Sequence, residues 1–181
     1  MKRILFSIFT FFIIFLLTSC QKDTEILPNN QRILFQVEYL NYAWVYQHNG
    51  FLIDCSGNIY YYNNPSEWNF IEDDGTFHEE AMNENLTFTD SITHSIDNYE
   101  IIDKAAKIYQ ASIGPISDLK CEMADAGTIV YSAYILNNRT HKYHRILLKQ
   151  SGDCSRENLS QAAIQLYQWL QLIQEKTVLK N

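Results

Sequence analysis

Proline and glycine are scarce in this 181-residue chain, at three and six residues. So few of either argue against long disordered tracts and collagen-like repeats. Basic residues are also few, 14 against 21 acidic ones. A nucleic-acid-binding face needs the opposite balance, so no nucleic-acid partner is expected. The short motifs of common chemistries are missing. There is no Gly-x-Ser-x-Gly elbow, no Gly-rich phosphate loop, no His-Glu-x-x-His helix and no Ser-x-x-Lys pair. No two cysteines stand at Cys-x-x-Cys spacing, which removes a dithiol redox motif and a cysteine zinc knuckle. No cofactor and no metal site are expected. Carboxylate pairs for glycoside hydrolysis form in space and stay open.

What is present begins at the N-terminus. Lys2 and Arg3 precede an apolar stretch from Ile4 to Leu17, interrupted only by Ser7 and Thr10. That stretch is short for a membrane span. The run Leu17-Thr18-Ser19-Cys20 follows. It resembles the lipobox of bacterial lipoproteins. The resemblance implies that residues 1–19 are a signal peptide, that Cys20 carries lipid, including palmitate, and that Cys20 becomes the mature N-terminus. Two or more acyl chains would hold the protein firmly on a membrane. Gln21-Lys22-Asp23-Thr24-Glu25 resembles the acidic lipoprotein export signal of Bacteroidota, with Thr24 where a second acid is commonest. It implies display on the outer face of the outer membrane. Residues 20–31 are then a lipidated tether. Asp90-Ser91-Ile92 resembles the O-glycosylation motif of the same phylum, which makes Ser91 a candidate glycosylation site.

Residues 32–181 are read as one α+β domain on length grounds. Ile33, Phe35, Val37 and Tyr39 alternate with polar residues, as in a half-buried strand. Tyr42, Trp44 and Tyr46 continue the alternation, and Asn49-Gly50 is the expected hairpin turn. Phe51–Asp54 and Ile59–Tyr62 are further strands around a Ser56-Gly57-Asn58 turn. Phe77–Leu86 reads as a short helix and Thr87–Ser95 as a loop. Asp97 and Glu100 match a capping box. In the helix they open, Ile102, Ala106, Tyr109 and Ile113 share a face, with Ile101, Ala105 and Ile108 beside them, and Gly114-Pro115 ends it. Thr128–Leu136 and Tyr143–Lys149 form a hairpin. Asn158 and Gln161 match a second capping pair. The final helix then carries Leu159, Ala162, Ala163, Leu166, Leu170 and Ile173, widened by Trp169. The order meander, helix, hairpin, helix implies a largely antiparallel sheet with helices packed on one face.

His141 and His144 would lie on opposite faces of a strand, which argues against a shared metal. His78 with Glu79, Glu80, Asp73 and Asp74 reads as a helix start whose carboxylates complement the helix dipole. Cys55 in a turn lacks an activating cation, despite His48 nearby in sequence. Cys121 and Cys154 flank the open ends of the hairpin and are expected to form a disulfide, with Cys55 left free. Most aromatics of the meander are expected in the core. Tyr61 and Trp68 are the candidate binding residues, because Tyr61 points opposite to Tyr60 and Tyr62.

These observations lead to an expected surface lipoprotein with a non-catalytic binding role toward a glycan or protein. The alternatives are a small envelope hydrolase, and a protease inhibitor or toxin-immunity lipoprotein. The anchor is directly testable. Cys20→Ala should abolish palmitate labelling and either release the protein from membranes or leave its precursor uncleaved. Unchanged labelling and fractionation would refute lipidation at Cys20.

Overall fold

The structure, a computed structural model, describes residues 31–90 and 94–178. Cys20, the export signal Gln21–Glu25 and Ser91 lie outside the described residues. Nine strands form an antiparallel sheet in the order β5-β3-β2-β1-β7-β8-β9-β6, with β4 paired to β8. They are β1 (Ile33–Asn41), β2 (Gln47–Asp54), β3 (Asn58–Asn63), β4 (Thr76–His78), β5 (His94–Ser95), β6 (Lys120–Cys121), β7 (Thr128–Asn137), β8 (Lys142–Gly152) and β9 (Cys154–Glu157). The helices are α1 (Glu79–Asn85), α2 (Asn98–Ala105), α3 (Ile108–Ser112) and α4 (Gln161–Val178). The class is α+β, as the order of elements implies.

Side chains alternate between the two faces along each strand. Phe35, Val37, Phe51, Ile53, Tyr131 and Ala133 face the main core. There they meet Ile101, Ala105, Ile108 and Ala111 of α2 and α3, and Ala162, Ala163, Leu166, Trp169 and Leu170 of α4. Phe35 meets Trp169 edge to face at 5.1 Å. The opposite face holds a second, smaller core of Ile33, Leu52, Tyr62, Phe77, Met82, Leu86, Tyr134, Leu136 and Tyr143. It is covered by α1, by the 3-10 turn Leu86–Phe88 and by Trp68 and Ile71.

Several local expectations change. Asn49-Gly50 is not a turn but lies inside β2, where Gly50 pairs with Glu38 and Tyr62. Glycine is needed there for close approach, since a Cβ would meet the Val37 carbonyl oxygen at 2.0 Å and the Tyr62 hydroxyl at 2.7 Å. The turn is instead the segment Tyr42–Tyr46, closed by the pair Asn41 and Gln47. Asn41 starts it, its side-chain oxygen accepting from the Ala43 N–H at 2.8 Å.

The helix expected after Asp97 is split in two, and its buried stripe is Ile101, Ala105, Ile108 and Ala111. Ile102, Tyr109 and Ile113 face outward. The last turn of α2 tightens where the Lys107 N–H bonds the Lys104 carbonyl, which breaks the face before α3 restarts. Asp97 does cap α2, through the Tyr99 N–H at 2.9 Å. Glu100, expected to complete the box, instead accepts from the Trp169 indole at 2.7 Å and ties α2 to α4.

The helix α4 is capped by Ser160, whose hydroxyl accepts from the Ala163 N–H at 3.2 Å. Buried Asn158 is the latch beneath it. Its amide donates to the Ala111 carbonyl at 2.7 Å and its oxygen accepts from the Ser160 N–H. Leu159, expected in the stripe, is exposed.

Cys121 and Cys154 face each other across β6 and β9 and are joined as a disulfide, while Cys55 is free and exposed. The bridge spans a sequence separation of 33. Its reduction should lower stability by roughly 3–4 kcal/mol on the chain-entropy model. Denaturant titration with and without reductant measures that difference. Peptide mapping without reduction should recover the Cys121–Cys154 cross-link, and a cross-link containing Cys55 would overturn the pairing.

Candidate functional site

The β1–β2 turn is rich in apolar side chains that no described residue covers. Tyr42 is 69% exposed, Trp44 84%, Val45 71% and Tyr46 43%, and Phe70 beside them is 47% exposed. Sequence alternation suggested a strand with these rings inside. They are a loop instead, because β1 and β2 stop pairing at Asn41 and Gln47. The base of the loop is well held. The Asn41 amide donates to the Tyr39 hydroxyl at 3.1 Å and to the Asp125 carbonyl at 3.3 Å.

From this tip a ladder of rings leads into the second core. Tyr42 lies 5.4 Å from Tyr46, and Tyr46 lies 6.3 Å from His48. His48 is fully buried, 5.0 Å from Tyr62, 5.1 Å from Trp68 and 5.2 Å from Phe70. Trp68 stacks on Tyr62 at 4.2 Å.

A polar seam anchors the inner rungs. His48 Nε2 and Glu38 Oε1 are 2.9 Å apart. The His48 backbone is clamped by Asn64, whose side-chain oxygen accepts from the His48 N–H and whose N–H donates to the His48 carbonyl, both at 2.7 Å. Asn64 occupies left-handed backbone space at φ 47°, which asparagine tolerates. The Gln36 amide donates to the Tyr62 hydroxyl at 3.1 Å, and the Tyr134 hydroxyl donates to the Gln36 side-chain oxygen. Burial raises the Tyr62 and Tyr134 phenols above their ordinary value of 10.0, and the Glu38 charge raises both further. At Tyr46, burial, then Tyr42 and Glu38, act in the same direction.

Neither sequence-based candidate is at the tip of this ladder. Trp68 is half-buried as an inner rung. Tyr61 points to the main core, with its ring 5.7 Å from Phe51. The tip residues Tyr42, Trp44 and Tyr46 could have been found only by recognising Gly50 as a packing glycine, which shifts the turn five residues toward the N-terminus.

The remaining candidates are dispersed. Cys55 lies at the opposite end of β2 from His48. His141 pairs with Glu79 at 2.9 Å, and His144 lies in β8 opposite Thr76 and Ile135. His78 lies 3.3 Å from Glu72, which Lys142 also holds. Among the described residues no group of three histidine, cysteine or acidic side chains could hold a metal.

Chemically, the ladder offers flat apolar rings on a stiff base. No protein-family model matches the chain, and no curated protein or solved structure matches it either.

The buried phenols set an alkaline limit. Tyr131, in the main core, is pushed up to about 12, chiefly by burial. A phenol raised in the folded state keeps its full contribution below its unfolded value near 10. That contribution is lost as pH climbs through the folded value. Denaturant stability should therefore change little on this account up to about pH 10 and fall between there and about 12. Ionisation of Tyr62, Tyr134 and Tyr131 should coincide with unfolding. A full set of phenolates in a still-folded chain, followed by ultraviolet absorbance, would contradict their burial.

Proposed function

We propose that this chain is a lipid-anchored binding protein displayed on the outer face of a bacterial outer membrane. Its role is non-catalytic, and its ligand is taken on the ring platform at Tyr42–Tyr46 and Phe70. One observation carries this reading: the platform lies at the far end of the sheet from the point where the chain enters it. Gln31 lies just before β1, and Tyr42 directly follows the last of its nine residues. That places them roughly 30 Å apart at ordinary strand rise. A tether over residues 20–31 adds a reach of up to about 40 Å. An anchor at Cys20 would thus leave the rings room to stand clear of the bilayer.

The His48–Glu38 pair favours a second reading, a small hydrolase with that pair as its acid–base group. His48 is fully enclosed, with Nε2 committed to Glu38 and rings around it. A reacting group would have to displace that packing, so binding is the preferred function.

Display can be tested on the full chain in intact cells. In a Cys55→Ser background, Trp44→Cys should react with a membrane-impermeant maleimide. Replacing Lys22, Asp23 and Glu25 with Ala should abolish that labelling until the cells are lysed. Labelling that requires lysis even with the tag intact would refute surface display. Labelling indifferent to the tag would reduce Gln21–Glu25 to a tether.

A further inference from the structure

We propose that the Tyr42–Tyr46 loop and Phe70 form a stacking site for an uncharged glycan. This rests on the binding role proposed above and names its ligand class. A sugar ring presents a face of C–H groups and a rim of hydroxyls. The C–H face packs on an aromatic ring, and the hydroxyls need partners that both donate and accept.

The platform offers both parts. Tyr42, Trp44, Tyr46 and Phe70 expose ring surface, and the Tyr42 and Tyr46 planes are tilted by 47°. The exposed Tyr42 and Tyr46 rings also carry hydroxyls at the platform itself. A phenolic hydroxyl both donates and accepts, which matches a sugar hydroxyl.

Charge narrows the class. Between Arg32 and Lys104 the chain contains no lysine or arginine. The loop contacts at this end of the sheet come from Asp125 and Ala126, and Ala126 is in turn held by Asp153. An anionic ligand would meet no lysine or arginine on the loop or on β1, β2 and β3, which carry it. A cationic ligand would want a free carboxylate among the rings, but Glu38 is engaged beneath them by His48. A protein partner is poorly matched in size. A standard interface uses roughly 20–30 residues a side, and the patch has five exposed apolar side chains. The ladder also fixes Tyr42, Tyr46 and Phe70 before any ligand arrives, which lowers the ordering cost of a small contact.

The test uses the full chain in liposomes, sedimented with insoluble cellulose, starch, β-1,3-glucan and mannan, and with chitosan and alginate as charged controls. Retention on at least one neutral polysaccharide is expected, changing less than about twofold between about 50 and 500 mM salt. Trp44→Ala should reduce it by about tenfold or more, while Trp44→Phe should stay within about threefold. Thermal melting of each variant controls for folding. Three results would overturn the proposal: no neutral polysaccharide retained, retention only on a charged one that fades with salt, or retention indifferent to Trp44→Ala. A parallel arm separates the two readings. If Trp44→Ala abolishes retention only of a proteinase-sensitive ligand from culture medium, the glycan assignment falls and the binding role stands. If it alters retention of nothing, both fall.

Discussion

The fold depends on covering β1 on both faces. Ile33, Leu34, Phe35 and Val37 are all buried, and hydrogen-bonded neighbours β2 and β7 close both edges. A strand in that position cannot keep a wet side. One face receives α2, α3 and α4, a broad cover locked by Asn158 and by the bond from Trp169 to Glu100. The other receives only α1 and the chain leading to it. That smaller cover stops short of the loop end of β1. Gln36 and Glu38 emerge at its margin, where polar side chains take over from apolar ones. The ring ladder stands at this margin, which explains why its inner rungs are buried and its outer ones bare.

Much of this was readable from residue order. The β7–β8 hairpin has β-branched and aromatic runs on both sides of an Asn-Asn turn. The stripe of α4 recurs at helical spacing. The cysteine pairing follows from the way a hairpin gathers its own ends. The site was harder to read because two signals coincide there with false meanings. Asn49-Gly50 has the composition of a tight turn, but Gly50 exists to admit Tyr62 and the Val37 carbonyl. Tyr42, Trp44 and Tyr46 alternate as a strand does, but alternation becomes a strand only where a neighbour pairs with it. Both errors have one source, since the small size of Gly50 answers a contact from β3 that sequence order does not show. In α2 and α3 the misreading is smaller. Two adjoining apolar stripes were present, and the one containing Ala105 and Ala111 won because small side chains let the helices approach the sheet.

The polar seam under the rings has its own logic. A buried histidine and glutamate are costly unless each finds a partner. Here Glu38 meets His48 across the strand pair, and Asn64 holds the His48 backbone on its other side. These bonds orient the imidazole so that Tyr62, Trp68 and Phe70 pack around it. The seam therefore fixes the base of the ladder, and Tyr46 inherits its position from that base. Removing Glu38 would do more than lose one bond, because the imidazole it aims is the shared neighbour of Tyr46, Phe70 and two deeper rings.

Charge is divided along the chain in a way that suits this arrangement. Apart from Arg32, every lysine and arginine of the domain stands at or after Lys104. Several are held by partners of their own. Lys149 lies over the Tyr167 ring at 4.4 Å, Lys107 pairs with Asp103, and Lys142 holds Glu72. The loop and the strands β1, β2 and β3 are left without lysine or arginine. A surface of that composition neither attracts anionic envelope polymers nor competes for them by charge. In the proposed binding role, attraction for a ligand would come from ring faces and phenolic hydroxyls, whose contacts are short-ranged and change little with salt. Selectivity at such a site follows from shape and hydroxyl placement, which is how two uncharged polymers of similar composition can be told apart.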